Sequence, residues 1–264
     1  MESRLSGLIT LTTDFGLRDP FVGIMKGVIL SIHPEARVVD LTHQVEPFDV
    51  VDGALALVQS YPYFPPGTIH VVVVDPGVGS ERRPILVTTP RSHFIGPDNG
   101  VFSLVYERES SLEIRHISAE QYFLKPVSQT FHGRDVFVPV AAWLSKGLAP
   151  ETFGGLITDY VRVAMAKPQQ MSASVIRGEV LRVDKFGNLI TNFDPAHLPQ
   201  QGSFRFRINQ NRVTRLVSSY AEGRGNGVIA IVGSAGFVEI AACQASAAEV
   251  LGAGKGTEII LEIE

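Results

Sequence analysis

The stretch IHVVVVDPGVGSERR, residues 69–83, decides the fold class. Its first six residues form an apolar run, which is typical of a strand buried on both faces. Strands of this kind belong to parallel sheets that are covered by helices on both sides. An aspartate, two glycines and two arginines follow at once, at the carboxyl end of the strand, where open α/β sheets bind ligands. The stretch therefore predicts an α/β fold with polar side chains grouped beyond this strand.

Strands and helices alternate on both sides of this stretch. Residues 8–13 (LITLTT) are rich in β-formers, and the apolar spacing of residues 21–33 predicts a helix with Asp19 as its N-cap and Pro20 as its first residue. Further strands are expected at residues 38–41, 85–89 and 93–95, and further helices at residues 49–60 and 135–145. Such alternation predicts a largely parallel sheet.

The pattern changes near residue 165. The polar segment 167–170 looks like a linker, and short apolar segments separated by turns follow it. These segments are residues 178–183, 189–193, 203–208, 227–232, 237–241 and 257–263. We therefore predict an α/β domain over residues 1–166 and a smaller β-barrel domain, or a sandwich, over residues 167–264.

The composition is that of an ordinary globular protein, with 45% apolar and 19% charged residues among 264. No apolar run reaches the roughly 18 residues that a membrane span needs. The formal net charge of −4, without a basic cluster, argues against a nucleic-acid partner. Cys243 is the only cysteine, so an intrachain disulfide is excluded and a cytoplasmic location is expected.

Three polar clusters interrupt the first domain, at residues 12–19, 75–83 and 130–135. Each has a structural interpretation as well as a functional one. Asp14 and Asp75 are suited to tight turns, and His132 is suited to packing between its neighbours Phe131 and Gly133. Their positions where strands end nevertheless favour a common ligand site.

Familiar cofactor motifs are missing from the sequence. The segment Gly77-Val78-Gly79 is not a dinucleotide fingerprint, because Arg82 stands where a third glycine is needed. The remaining histidines are too scattered to suggest zinc ligands. We therefore expect neither a metal nor a bound cofactor.

The second domain has one polar cluster of its own, Asp184-Lys185-Phe186-Gly187-Asn188. Taken alone, the cluster indicates a hairpin turn. It also suits a purine site, with Phe186 stacking on the base and Asn188 bonding to its edge.

Six segments of the chain together resemble one known family. They are TTDFGLRDPFVG, DPGVGSERR, GPDNGVF, TFHGRD, VDKFGNLITN and GSAGFVEIA, in this order from residue 12 to about residue 241. They are similar to the S-adenosyl-L-methionine hydroxide adenosyltransferases, relatives of the fluorinases and chlorinases. The resemblance implies an N-terminal α/β domain, a C-terminal β-barrel and a homotrimer with active sites between subunits. It also implies hydrolysis of S-adenosyl-L-methionine to adenosine and methionine without a metal.

The resemblance also implies which residues form the active site. It places Asp75, Arg82 and His132 beside the attacking water. Asp19, in the first of the six segments, is counted with the substrate-binding residues. The others are Asp14 at the ribose hydroxyls, Phe48 beside the ribose, Asp184 at the methionine amino group, Phe186 and Asn188 at the adenine, and Ser234 at the methionine carboxylate.

Two alternative functions remain open at this point. A halogenase is disfavoured, because those relatives carry aromatic hydroxyls in place of Asp75 and His132 and a long insertion after the segment that matches residues 75–83. The carboxylate of Asp75 would also repel a halide. A non-catalytic sensor of the same ligand would keep Asp14, Phe186 and Asn188 without needing the Asp75, Arg82 and His132 set.

Overall fold

The computed structural model describes residues 7–225 and 227–264, which divide into two compact units. The first unit ends at Ala164, and the second is Met165–Glu264. The first unit mixes helices with a sheet rich in parallel strands, whereas the second consists mainly of antiparallel strands. The predicted fold class is confirmed. Within the described residues, no helix is long and apolar enough to cross a membrane.

The first unit is built on one six-stranded sheet. Its strands are β1 (Leu8–Thr13), β2 (Arg37–Thr42), β3 (Thr68–Val73), β4 (Pro84–Thr88), β5 (Ser92–Pro97) and β6 (Glu113–His116), and its helices are α1 (Phe21–Ile32), α2 (Val50–Ser60), α3 (Ser103–Arg108) and α4 (Val138–Ser145). The strand order is β2-β1-β3-β5-β4-β6. Strands β2, β1, β3 and β5 pair in parallel, and β4 runs antiparallel to both of its neighbours.

Strand β3 lies inside this sheet, and all six of its residues are buried. Its side chains alternate between two cores, because successive residues of a strand point to opposite faces. Ile69, Val71 and Val73 pack with residues of α1 and α4 on one face. Val72 and Val74 pack with residues of α2 and α3 on the other face. The prediction of a strand buried on both faces is confirmed.

The start of α1 differs from the prediction. Pro20 occupies the cap position and the helix begins at Phe21, with no side chain capping its free N–H groups. The assignment of Asp19 as N-cap was wrong. Helix α2 follows the expected pattern, because Asp49 accepts a hydrogen bond from the backbone N–H of Asp52 at 3.1 Å.

The helix expected from residue 135 is divided. A π-helical turn, Gly133–Phe137, comes first, and α4 begins after it. Pro139 has no N–H with which to continue an α-helical ladder back to Asp135. The carbonyl of Asp135 instead accepts a hydrogen bond from the backbone N–H of Leu124 at 2.9 Å. Turns of this kind are frequent at functional sites.

Within the described residues, the second unit contains one curled sheet of nine strands. They are β7 (Gln169–Ser172), β8 (Val175–Val183), β9 (Leu189–Thr191), β10 (Phe204–Ile208), β11 (Asn211–Val213), β12 (Leu216–Val217), β13 (Val228–Val232), β14 (Val238–Ala242) and β15 (Glu258–Ile263), and the short α-helix α5 (Ala247–Leu251) accompanies them. The order is β11-β10-β15-β8-β9-β14-β13-β12, and β7 pairs with β8. Residues 169 and 170, predicted as part of a linker, therefore belong to a strand.

The long strand β8 turns the sheet. It pairs with β15 along its first half and with β9 along its second, and its register shifts between Val180 and Arg182. Gly178 lies just before this bulge, where a side chain would overlap Asn192 and the ring of Phe193. The absence of a side chain at residue 178 lets the two strands approach closely enough for the sheet to curl.

Candidate functional site

The three polar clusters of the first unit meet at one cavity. Strands β1 and β3 are parallel neighbours, so the loops that follow them leave the same edge of the sheet. The cavity has a volume of about 260 Å3, and we call it the first cavity. It is lined by Asp14, Phe15, Pro47, Phe48, Val73, Asp75, Val78, Thr130, Phe131, His132 and Gly133.

A glycine brings two of these clusters together. Gly79, in the loop after β3, has a φ of +78°, a conformation that side-chain-bearing residues rarely adopt. A β-carbon at this residue would also overlap the backbone carbonyl of Gln129. The loop after β3 can therefore lie directly against the segment that leads to His132.

Asp75, Arg82 and His132 form one hydrogen-bonded chain. Arg82 Nε donates to Asp75 Oδ1 at 2.9 Å, and Arg82 Nη2 donates to Asp75 Oδ2. The same Nη2 also donates to His132 Nδ1 at 2.8 Å. Only 8% of the Arg82 side chain and 5% of the Asp75 side chain are exposed. The structure thus brings together the three residues that were predicted to be catalytic.

The three side chains meet the first cavity differently. Asp75 and His132 line it, whereas Arg82 does not. The guanidinium of Arg82 stacks over Phe137 of the π-helical turn, 5.3 Å from the ring centroid. Its Nη1 is buried and has no hydrogen-bond partner within the described part of the chain. Arg82 therefore contacts Asp75 and His132 without lining the first cavity, and within the described residues its Nη1 donor is unsatisfied.

The protonation state of His132 follows from its neighbours. Burial lowers the pKa of His132 below its ordinary value of 6.5, and the positive charge of Arg82 lowers it further. Asp75 and a hydrogen bond to the Ser128 backbone oppose these two effects. Because a guanidinium has donors only, His132 Nδ1 must accept, and the neutral ring carries its proton on Nε2.

Asp14 supports a strained residue at the mouth of the first cavity. Its Oδ2 accepts a hydrogen bond from the backbone N–H of Phe48 at 2.9 Å. Phe48 has a φ of +65°, which is unfavourable for a residue with a bulky side chain. Its ring is 72% exposed although it lines the cavity. Asp19, by contrast, is exposed and lines neither this cavity nor the one described below.

Phe15 and Phe131 line the first cavity and belong to an aromatic cluster that was not predicted from the sequence. The rings of Phe15, Phe21 and Phe131 pack against one another with centroids 5.3–5.9 Å apart and interplanar angles of 59–79°. Edge-to-face contacts of this kind fix ring positions. Phe15 therefore anchors the loop that carries Asp14.

The second unit has a larger cavity of about 910 Å3, which we call the second cavity. It holds four of the predicted substrate-binding residues, Asp184, Phe186, Asn188 and Ser234. Its other lining residues are Tyr220, Ala221, Arg224, Ile231, Val232, Gly233, Glu239, Ala242, Cys243, Gln244, Ala245 and Ser246.

Asp184 organises the turn between β8 and β9. Its Oδ1 accepts hydrogen bonds from the backbone N–H groups of Phe186 and Asn188, each at 2.8 Å. Its Oδ2 accepts from Asn188 Nδ2 at 2.9 Å. Phe186 is left 76% exposed, whereas Asn188 is buried. The hairpin interpretation of this cluster is therefore correct, and the turn presents Phe186 to the second cavity.

Tyr220 and Glu239 line the second cavity and were not predicted from the sequence. The hydroxyl of Tyr220 donates to Glu239 Oε2 at 3.2 Å. Burial raises the pKa of the Glu239 carboxyl, and the charge of Asp184 raises it further. Glu239 lies in β14 between buried Val238 and Ile240. Strand alternation places it on the face opposite to these two, but alternation cannot tell that this face borders a cavity.

Residues 7–225 and 227–264 contain no group of three or more His, Cys, Asp or Glu side chains that could hold a metal ion.

The geometry around His132 generates a prediction for solution. In an NMR titration, we expect the His132 ring to titrate below pH 6.5 and to show the Nε2-protonated neutral form above that pH. An Arg82→Gln substitution removes one of the two causes of the shift, so the titration should move upwards. As a control, His93, whose pKa burial lowers to about 4 and which lies outside both cavities, should titrate unchanged in the variant. A His132 ring that carries its proton on Nδ1 would contradict the assigned hydrogen bond.

Comparison with known proteins bears on both units. The family model for the S-adenosyl-L-methionine hydroxide adenosyltransferase N-terminal domain matches residues 9–154, and that for the C-terminal domain matches residues 178–260. An (R)-S-adenosyl-L-methionine hydrolase of Methanocaldococcus jannaschii is 35% identical, with 95% of this chain and 94% of that protein covered. A fluorinase of an Actinoplanes species is 27% identical, with 76% of each chain covered.

A solved structure extends the comparison to the fold. An uncharacterized conserved protein from Thermotoga maritima is 37% identical and superposes with a TM-score of 0.89, with 96% of this chain and 99% of that chain covered. Together, the two matched domains and the near-complete coverage show that this chain belongs to the S-adenosyl-L-methionine hydroxide adenosyltransferase family.

Proposed function

We propose that this protein hydrolyses S-adenosyl-L-methionine to adenosine and L-methionine. The observation that carries this proposal is the buried Asp75–Arg82–His132 chain beside the first cavity. Family membership and the name of the 35%-identical relative, (R)-S-adenosyl-L-methionine hydrolase, support it. The fluorinase is less similar and shares a smaller part of the chain.

The chemistry requires an activated water. The substrate is a sulfonium, so the C5′–S bond breaks with its electron pair passing to sulfur, and methionine leaves as a neutral thioether. No general acid is needed for this departure. The nucleophile is the difficulty, because free water has a pKa of about 15.7. Attack at C5′ opposite the sulfur gives adenosine once the water has lost a proton.

Asp75 is the group best placed to accept that proton. Arg82 has donors only, and His132 Nδ1 already accepts from Arg82. The carboxylate of Asp75 lines the first cavity and keeps unused lone pairs beyond its two bonds to Arg82. We therefore assign proton acceptance to Asp75.

Arg82 and His132 support this step. The guanidinium supplies a fixed positive charge that favours hydroxide over water in a site with little solvent screening. Its bidentate contact orients the Asp75 carboxylate. Neutral His132 accepts from Arg82 and thereby fixes the guanidinium, while its ring lines the cavity. None of these roles needs a cofactor, and we propose that the reaction proceeds without one.

The substrate-binding roles remain those that the family resemblance implies. We propose Asp14 for the ribose hydroxyls, with Phe48 beside the ribose, and we retain exposed Asp19 as a binding residue. In the second cavity, we propose Phe186 and Asn188 for the adenine, Asp184 for the methionine amino group and Ser234 for the methionine carboxylate. The substrate carries both charged and polar groups, which explains why charged, polar and aromatic side chains are assigned to it.

Hydrolysis is preferred over the two alternatives. A halide at the position of the attacking water would lie beside the carboxylate of Asp75, which repels it. A sensor that only binds the ligand does not need a buried ion pair. Taking each of the two charges out of water costs several kcal/mol of desolvation free energy. The complete Asp75–Arg82–His132 chain therefore favours an enzyme.

We further propose a cytoplasmic homotrimer with active sites between subunits. The single cysteine supports the location. Exposed apolar side chains on and beside α1, namely Leu17, Phe21, Ile24 and Leu30, support an interface there. Closed symmetric oligomers bury such patches against identical copies.

The reaction itself is tested with pure protein. Incubation with S-adenosyl-L-methionine in the presence of a chelator should give adenosine and methionine in equal amounts. Because the relative is named for the R-configured sulfonium, we expect the R diastereomer to be consumed and the S diastereomer to persist. High chloride or fluoride should give no 5′-halo-adenosine by mass spectrometry. Methylthioadenosine as the product, or activity only with added metal, would refute the proposal.

Substitutions of Asp14 and Asp75 should affect different steps, substrate binding for Asp14 and turnover for Asp75. Asp14→Ala removes a charge-assisted acceptor, so affinity should fall by about 10- to 150-fold with a smaller change in turnover. Asp75→Asn removes the proton acceptor, so turnover should fall by about 100- to 10,000-fold with affinity nearly unchanged.

Calorimetry and single-turnover assays measure these two effects. Glu81→Gln, an exposed carboxylate next to Arg82 in the chain, is the matched control and should resemble the wild type. Combining Asp75→Asn with His132→Ala should cost less than the product of the single losses, because both residues serve one water. Normal turnover by Asp75→Asn would show that another group takes the proton.

The oligomer is tested by light scattering. We expect a mass of about 86 kDa, which is three times 28.7 kDa. Ile24→Asp places a charge on the exposed face of α1 and should reduce that mass. Val250→Asp, an exposed apolar residue of the second unit, is the control and should leave it unchanged. A fully active monomer would rule out sites shared between subunits.

A further inference from the structure

Glu239 is a carboxylate of the second cavity for which the proposed function has no role so far. It lines the cavity and is half-buried. Within the described residues, the only hydrogen bond of its carboxylate comes from the Tyr220 hydroxyl, which donates to Oε2. Its Oε1 lies against Gly233, where an added β-carbon would overlap it. In the part of the chain that the structure describes, one carboxylate oxygen is therefore held in place without a donor.

Asp184, the other carboxylate of the cavity, is in a different situation. Its two oxygens already accept three hydrogen bonds from Phe186 and Asn188. A carboxylate has about four acceptor positions, so Asp184 has little capacity left for a ligand. An ammonium group has three N–H donors, and Asp184 alone does not have enough free acceptor positions for all of them.

We propose that Glu239 binds the α-ammonium group of the substrate's methionine part and thereby determines recognition of the amino acid. The proposal rests on the proposed function. Glu239 lies against Gly233, the residue before Ser234, which is assigned to the α-carboxylate. The ammonium and carboxylate of an amino acid share one carbon, so an acceptor for one is needed beside the donor for the other.

The electrostatics of the cavity agree with a cationic ligand group. Burial raises the pKa of the Glu239 carboxyl and the charge of Asp184 raises it further, against the lowering by the hydrogen bond from Tyr220. A bound ammonium relieves both effects, because it returns an opposite charge and donors to the carboxylates. The two carboxylates and the ammonium thus stabilise one another.

A purely structural role for Glu239 makes a different prediction. If the carboxylate served only to orient the ring of Tyr220, removing the tyrosine hydroxyl would have the same effect as removing the charge. Tyr220→Phe deletes this hydrogen bond and leaves the charge of Glu239 intact. The two substitutions therefore separate positioning of Tyr220 from recognition of the ligand.

The experiment compares two ligands that differ in the amino acid part. S-adenosyl-L-homocysteine has the ammonium and carboxylate but no sulfonium, and methylthioadenosine lacks all three charges. By calorimetry, Glu239→Gln should weaken S-adenosyl-L-homocysteine by about 10- to 100-fold and methylthioadenosine by less than about 2-fold. Glu239→Asp, which keeps the charge, should recover part of the loss.

Controls decide between the outcomes. Glu249→Gln, an exposed carboxylate of the same unit outside the cavity, should bind both ligands normally, and thermal melts verify that each variant is folded. Equal weakening of both ligands, or the same pattern in Tyr220→Phe, would overturn the proposal. Hydrolysis by the wild type is measured separately. A wild type that hydrolyses S-adenosyl-L-methionine while Glu239→Gln binds normally would refute this inference and leave the proposed function intact.

Discussion

The buried pairing of Arg82 with Asp75 is the interaction on which the candidate site depends. Taking both charges out of water is costly unless each finds partners, and Arg82 meets this condition by contacting Asp75 and His132 together. The pairing also joins the loop after β3 to the segment before the π-helical turn. Without it, Asp75 and His132 would lie on separate loops with no hydrogen bond to join them.

Other features of the first cavity maintain this geometry. Gly79 permits the two loops to touch, and the aromatic cluster of Phe15, Phe21 and Phe131 holds the loop that carries Asp14. Asp14 in turn holds Phe48 in a strained conformation. Strained backbone persists only where surrounding contacts enforce it, and such positions cluster at functional sites.

The cavities of the two units present different side chains. The first is lined by Asp75 and His132, which Arg82 joins, and the second has an exposed aromatic ring, a buried amide and two carboxylates. In the second cavity, Asp184 accepts the hydrogen bonds that build the turn presenting Phe186, so its charge serves the fold. Glu239 accepts a single side-chain hydrogen bond among the described residues, from Tyr220, and builds no turn, which is why we infer that it faces the substrate.

The sequence by itself determined the layer order and most long elements, because β3 and its neighbours have apolar patterns that only one kind of sheet explains. It missed β6, β7, β11 and β12, since strands of only two to four residues are too short to show apolar alternation. Ordered motifs indicated Asp75, Arg82 and His132. Only tertiary structure decided which of them line the cavity, which nitrogen of His132 accepts, and that Glu239 borders a cavity, because these depend on contacts between residues far apart in the chain.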